Sequence, residues 1–255
     1  MTSIPNKRIT DVDGHKLEYA TAGAGRPAIV FINGGGPADM DSWRKVYPET
    51  NRISTVFAYN RFGDGNSDKV NAPQTGANIV ATLRELLRGT GLNPPYVLVG
   101  HSLGGLYANL FARLHPDEVA GVVLVDSSHP DQAEMMRGVS QGVILSVINA
   151  VFQKFYAAIN PTKYSETTSF DETASQLKKA GPFPDIPLIV ITAGKRPSLA
   201  SEEVIRMIKN HQRSLVAMPA QGKQIIAEKS SHYVQNDQPE IVIQAIHEVV
   251  DKSQK

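Results

Sequence analysis

Short, continuous apolar runs recur along the chain, and between them lie longer stretches whose apolar residues fall three and four positions apart. Ala28-Ile29-Val30-Phe31-Ile32, Val97-Leu98-Val99 and Val119-Ala120-Gly121-Val122-Val123-Leu124-Val125 are rich in β-branched residues and bounded by Gly, Pro or polar positions, so each reads as a buried strand. Ser54 to Tyr59, Ile186 to Ala193 and Lys223 to Ala227 read the same way. Thr75 to Arg88 instead sets Ile79, Leu83, Leu86 and Leu87 on one helical face and stops at Gly89 and Gly91. Ser201 to Leu215 and the closing stretch of Ile241, Ile243, Ile246, Val249 and Val250 are helical too. Near the start, Ile9 to Tyr19 forms two short strands around Asp13-Gly14, a dipeptide suited to a tight hairpin turn. Strands alternating with helices predict a parallel sheet whose site lies at the C-terminal ends of the strands.

The alternation stops between Ser127 and Asp185. Within it, Val143 to Phe155 is apolar on most faces but interrupted by Asn149, Gln153 and Lys154, and it is shorter than the ~20 apolar residues a membrane span needs. The expectation is a core of residues 1–126 and 186–255 with a helical cap over residues 127–185, where Ile148 and Phe152 line the substrate pocket.

Composition narrows the field. Of 255 residues, 41% are hydrophobic and 20% charged, which suits one α/β domain carrying an insertion. Lys+Arg 26 against Asp+Glu 25 gives a net charge of +1 with no extended basic cluster, so neither nucleic acid nor an anionic membrane is an expected partner. Cys 0 excludes a disulfide scaffold, a thiol nucleophile and thiolate metal ligation together. The first residues, Met1 to Arg8, lack the apolar core of a signal peptide, and a cytoplasmic location is expected. H-E-x-x-H and glycine-rich nucleotide fingerprints are absent, so no cofactor or metal is implied and a small-molecule substrate is.

The chemistry gathers at Gly100-His101-Ser102-Leu103-Gly104-Gly105, which matches G-x-S-x-G directly after an apolar strand and before a helix. A serine on so tight a turn needs neighbours without Cβ atoms, because strand and helix backbones pass close together there. Gly138-Val139-Ser140-Gln141-Gly142 matches the same pattern, but it follows a polar run rather than a strand and is read as a decoy. Upstream, the strand ending at Ile32 runs into Asn33-Gly34-Gly35-Gly36-Pro37, where backbone amides can approach a ligand closely. The loop from Asn60 to Asp68 reads as structural, since Asp64 and Asp68 lack the further ligands of a calcium loop. Among the histidines, His101 is expected to point away from Ser102 along the alternating strand. His15, His115, His211 and His247 fall in turns or helices away from the strand tips, and His129, near Asp126, is the rival to His232.

These landmarks, together with Ser231-His232-Tyr233-Val234-Gln235 before the last helix, resemble the α/β-hydrolase family from about Ile9 to Val250. The resemblance implies a doubly wound, mostly parallel sheet of about eight strands with a helical cap. It implies Ser102 as nucleophile, His232 as general base, and the amides of Gly35 and Leu103 as the oxyanion hole. Asn33 stands where many members carry His. The carboxylate that usually follows the penultimate strand is missing, since Ala193 leads into Gly194-Lys195-Arg196-Pro197. Some members place the acid one strand earlier, where this chain has Asp126; Glu202 and Glu203 are the alternatives. The implied activity is hydrolysis of a small or medium carboxylic ester through an acyl-enzyme. Thioester, lactone, amide or carbon–carbon cleavage, or a ligand-binding receptor with little turnover, are the other readings. Serine at the elbow argues against the dehalogenase and epoxide hydrolase branches, which the resemblance associates with a carboxylate nucleophile.

Overall fold

The strands run β1 (Arg8–Val12), β2 (His15–Ala22), β3 (Ala28–Ile32), β4 (Val56–Tyr59), β5 (Tyr96–His101), β6 (Val119–Val125), β7 (Leu188–Ala193) and β8 (Lys223–Ala227). In this computed structural model, which describes residues 3–132, 157–195 and 201–254, they form one eight-stranded sheet in the order β1-β2-β4-β3-β5-β6-β7-β8. β1, β2 and β4 pair antiparallel, and every pair from β4 to β8 is parallel. The strand expected from Ser54 begins at Val56, because the Ser54 hydroxyl turns away to donate to the Pro27 carbonyl. Strand β8 and the Asp13-Gly14 hairpin fall where the sequence pattern sets them.

Helices α1 (Gly76–Gly89), α2 (Leu103–Leu114), α3 (Pro161–Thr168), α4 (Phe170–Lys179), α5 (Glu202–Val216) and α6 (Pro239–Ser253) surround the sheet. Side chains of a strand alternate between faces, and β3, β5 and β6 are apolar on both, so each strand feeds two cores. On one side Val30, Ile32, Leu98, Val122 and Leu124 meet Leu83 and Leu86 of α1, Leu106 and Leu110 of α2 and Leu177 of α4. On the other, Ile29, Phe31, Val97, Val99 and Val123 meet Trp43 and Val242, Ile246 and Val249 of α6. Each such aliphatic side chain contributes about 1.5–3 kcal/mol by leaving water, which fixes the central strands rigidly under the site.

The end of the segment expected as a cap is bound to this core. Thr173 Oγ1 and Gln176 Oε1 of α4 accept from the N–H groups of Gly76 and Ala77, two of the donors that the first turn of α1 leaves without intrahelical partners. Thr162 of α3 both accepts from and donates to the backbone of Val70. Ser140, Ile148 and Phe152 lie outside the described residues. Among the described residues no helix is long and apolar enough to cross a membrane.

Candidate active site

Ser102 connects β5 to α2 and carries φ 51°, ψ −120°, a backbone conformation that costs an L-residue about 1–3 kcal/mol. The turn closes because its neighbours are small: a Cβ on Gly100 would stand 2.5 Å from the Gly104 carbonyl oxygen, and one on Gly104 would stand 2.3 Å from that of Ile32. The strained backbone is held by neighbouring β6. The Ser102 N–H donates to Val125 O at 3.1 Å, and the Ser102 carbonyl accepts from Ser128 N at 3.0 Å. Ser102 occupies the N-cap of α2, yet its side chain makes no capping hydrogen bond.

Asp126 follows β6 directly and is 9% exposed, with φ 39°. Its Oδ1 accepts from Ala193 N at 3.0 Å, at the end of β7, which aims the other oxygen at the loop after β8. There Oδ2 lies 2.8 Å from His232 Nδ1. A carboxylate can only accept, so in this contact Nδ1 is the donor and the ring is oriented by it. Glu202 and Glu203, the alternative acids, are exposed in the first turn of α5, where the helix dipole favours negative charge.

His101 departs from expectation. It is buried, but it reaches under the His232 loop and donates from Nε2 to the His232 carbonyl at 2.9 Å, with the two rings 4.6 Å apart. Desolvation by burial, reinforced by the neighbouring His232, pushes its pKa down to about 4, so the ring stays neutral. The sequence pattern gave no sign that a loop 131 residues away would bond this side chain.

Ser102, Asp126 and His232 share the wall of a cavity of about 210 Å³ with Ser127, Ser128 and His129, and with Val204, Met207, Ile208, His211 and Gln212 of α5. His211, expected to be remote, is thus a wall residue. It stacks on His129 at 4.2 Å and 10°, and His129 Nε2 meets Ser214 Oγ at 2.9 Å, which leaves His129 engaged away from Asp126. Burial lowers the pKa of both rings, that of His129 to about 4. Sequence reasoning missed the α5 face as a wall. The signal was the spacing 204, 207, 208, 211, which shows a helical face but not what it covers.

The loop Asn33-Gly34-Gly35 lies against the elbow: a Cβ on Gly34 would be 3.4 Å from Ser102 Cβ, and one on Gly35 would be 2.9 Å from Leu103 Cδ2. Leu103 is the first residue of α2, so helix geometry leaves its N–H without an intrahelical partner. Among the described residues no group of three or more His, Cys, Asp or Glu is disposed to hold a metal ion.

The chain belongs to the α/β-hydrolase fold family, whose model matches residues 27–238. Among curated relatives, the uncharacterised protein YqjL of Bacillus subtilis is 27% identical over 234 residues, covering 89% of this chain and 85% of that protein. Among solved structures, a loop variant of the haloalkane dehalogenase DbeA from Bradyrhizobium elkanii matches with a TM-score of 0.70 at 17% identity, covering 98% of this chain and 97% of that one. The epoxide hydrolase CorEH matches with a TM-score of 0.64 at 18% identity, covering 96% and 98%. At these identities the two structures speak for the fold alone.

Proposed function

We propose that this chain is a serine hydrolase that cleaves a small or medium carboxylic ester through an acyl-enzyme, with Ser102 as nucleophile, His232 as base and Asp126 as the orienting acid. The observation that carries the reading is the 2.8 Å contact between Asp126 Oδ2 and His232 Nδ1 on the wall of the cavity that Ser102 also lines. In this reading His232 Nε2 takes the proton of Ser102 as Oγ attacks the acyl carbon. The N–H groups of Gly35 and Leu103 stabilise the oxyanion, each worth about 3 kcal/mol of barrier. Collapse expels the alcohol, protonated by His232, and a water activated by the same base then releases the acid and restores Ser102.

The structural neighbours include a haloalkane dehalogenase and an epoxide hydrolase, and the chemistry of the nucleophile separates this chain from them. A serine alkoxide displacing at a saturated carbon forms an ether, which water does not cleave. At an acyl carbon it forms an ester, which water does. The cavity supports a small acyl or alcohol group: its 210 Å³ lies below the ~300 Å³ at which drug-sized pockets begin, and Val204, Met207 and Ile208 offer apolar contact. Residues 127–185 are proposed to form the cap that completes it. A panel of p-nitrophenyl esters from acetate to octanoate tests the reading. Turnover should favour the shorter chains, and no turnover above the Ser102→Ala background sinks it.

A further inference from the structure

The Asn33-Gly34-Gly35 loop is held by a buried cluster of charge. Arg61, which follows β4, donates from Nη1 to Asn33 O at 2.8 Å and to Asn33 Oδ1 at 3.2 Å, and from Nη2 to Gly34 O at 2.6 Å. The same Nη2 lies 2.7 Å from Glu166 Oε1 on α3. Beside it Lys163 pairs with Asp64 at 3.0 Å and also contacts Glu166. Tyr107 of α2 donates to Glu166 Oε1 at 3.1 Å and turns its ring toward the guanidinium at 5.4 Å. Arg61, Asp64, Lys163 and Glu166 are exposed by only 3%, 6%, 1% and 3%. Burial alone would lower the Arg61 pKa and raise that of Glu166, but their mutual attraction, with Asp64 and Lys163 adding to it, moves each the other way, so both stay charged. Apolar side chains of similar volume commonly stabilise a core as well as buried ion pairs do, so stability alone does not account for this arrangement.

The geometry points to Arg61 as a positioning residue for the oxyanion site: by gripping the Gly34 carbonyl it fixes the plane of the Gly34–Gly35 peptide and aims the Gly35 N–H at the elbow. A trans peptide carries its C=O and N–H on opposite sides. A guanidinium on the carbonyl side therefore turns the N–H away from itself. The loop packs against Ser102 and Leu103, and the N–H is proposed to point toward them. A cation on the carbonyl oxygen also polarises the peptide, which makes the N–H a stronger donor. The inference rests on the serine-hydrolase reading, but the peptide orientation can be measured without it.

The cluster contains two cations and two carboxylates, and one of each can be removed together without unbalancing charge. Arg61→Met with Glu166→Gln releases the carbonyls and keeps Lys163 with Asp64. Lys163→Met with Asp64→Asn removes the other pair and keeps Arg61 on the loop. The first variant should lose about 10²- to 10³-fold in kcat with KM little changed, the effect of losing one oxyanion donor, and the second should keep most of its turnover. Arg61→Lys should recover the thermal stability of a charged cluster but not kcat, because an ammonium cannot fork across both carbonyls. The amide resonance of Gly35 should move in the first variant and stay in the second. Equal kcat in the two double variants of an ester-hydrolysing protein, or full recovery of kcat by Arg61→Lys, overturns the inference. If the wild type turns over no ester the functional reading fails instead, and the inference is then decided by whether the Gly35 resonance separates the two variants.

Discussion

Ser201 and Ser102 both occupy helix N-caps and behave in opposite ways. Ser201, with φ −64° and ψ 156°, accepts from Val204 N and closes the first turn of α5. Ser102, with φ 51° and ψ −120°, makes no cap at all. A serine cap is worth about 1 kcal/mol, and the Ser102 backbone costs about 1–3 kcal/mol more. The comparison teaches that a hydroxyl becomes available for chemistry when its backbone withholds it from the bond it would ordinarily make. The sheet tolerates this because β5 is flanked on both sides by parallel, fully apolar strands.

The contrast breaks hardest at Ser102 itself. Ser102→Ala should lower kcat by about 10⁶-fold while thermal stability is retained, and a fluorophosphonate probe should mark the peptide that contains Ser102. Labelling at Ser140 would mean that the strand, turn and helix context is not what selects the nucleophile. Next in size is Asp126→Asn, expected to lower kcat by up to about 10⁴-fold in a folded protein by favouring the wrong tautomer of His232. Glu202→Gln and Glu203→Gln, placed in the ordinary helix start that Ser201 caps, should be mild. Collapse of kcat in either glutamine variant, with near-normal turnover in Asp126→Asn, would move the acid to α5.

A smaller effect reads stability against pH. His101 has a folded pKa of about 4 against 6.5 when free, so between those values the unfolded chain binds a proton that the folded chain refuses. Stability from this ring is full above pH 6.5 and falls as pH drops toward 4, by about 3 kcal/mol in all. His101→Gln, whose amide can still donate to the His232 carbonyl, should flatten the fall in Tm between roughly pH 7 and pH 5. An unchanged slope would assign the acid sensitivity to other groups. Smallest of all, Ser201→Ala should cost about 1 kcal/mol of stability by denaturant unfolding, while Ser102→Gly should be stabilising because glycine accepts a positive φ without strain.

Much of the fold is legible in the sequence alone. Unbroken apolar runs at β3, β5 and β6 point to the parallel sheet, because strands buried on both faces have little compositional freedom. The elbow and Asp126 were legible because each sits at a strand's end, where sequence position and spatial position coincide. What could not be read involved a partner distant in the chain. Arg61 looks like a loop residue until Lys163 and Glu166 arrive from α3 to neutralise its surroundings. His211 looks like a surface position on an amphipathic helix until α5 is laid beside the cavity. Local pattern reports which face of an element is apolar, and tertiary docking decides what that face meets.

The hydrogen bonds that hold His232 span 106 residues to Asp126 and 131 to His101, whereas those that hold the Ser102 backbone to Val125 and Ser128 span only 23 and 26. Closing long loops costs entropy before the contacts they enable are made, so distant pairings form late. The folding chain is therefore expected to shape the turn at Ser102 before His232 docks beside Asp126. During refolding from denaturant, recovery of ester turnover should follow the slow docking of β8 and α6 rather than the burial of β5, which makes activity a timer for completion of the fold.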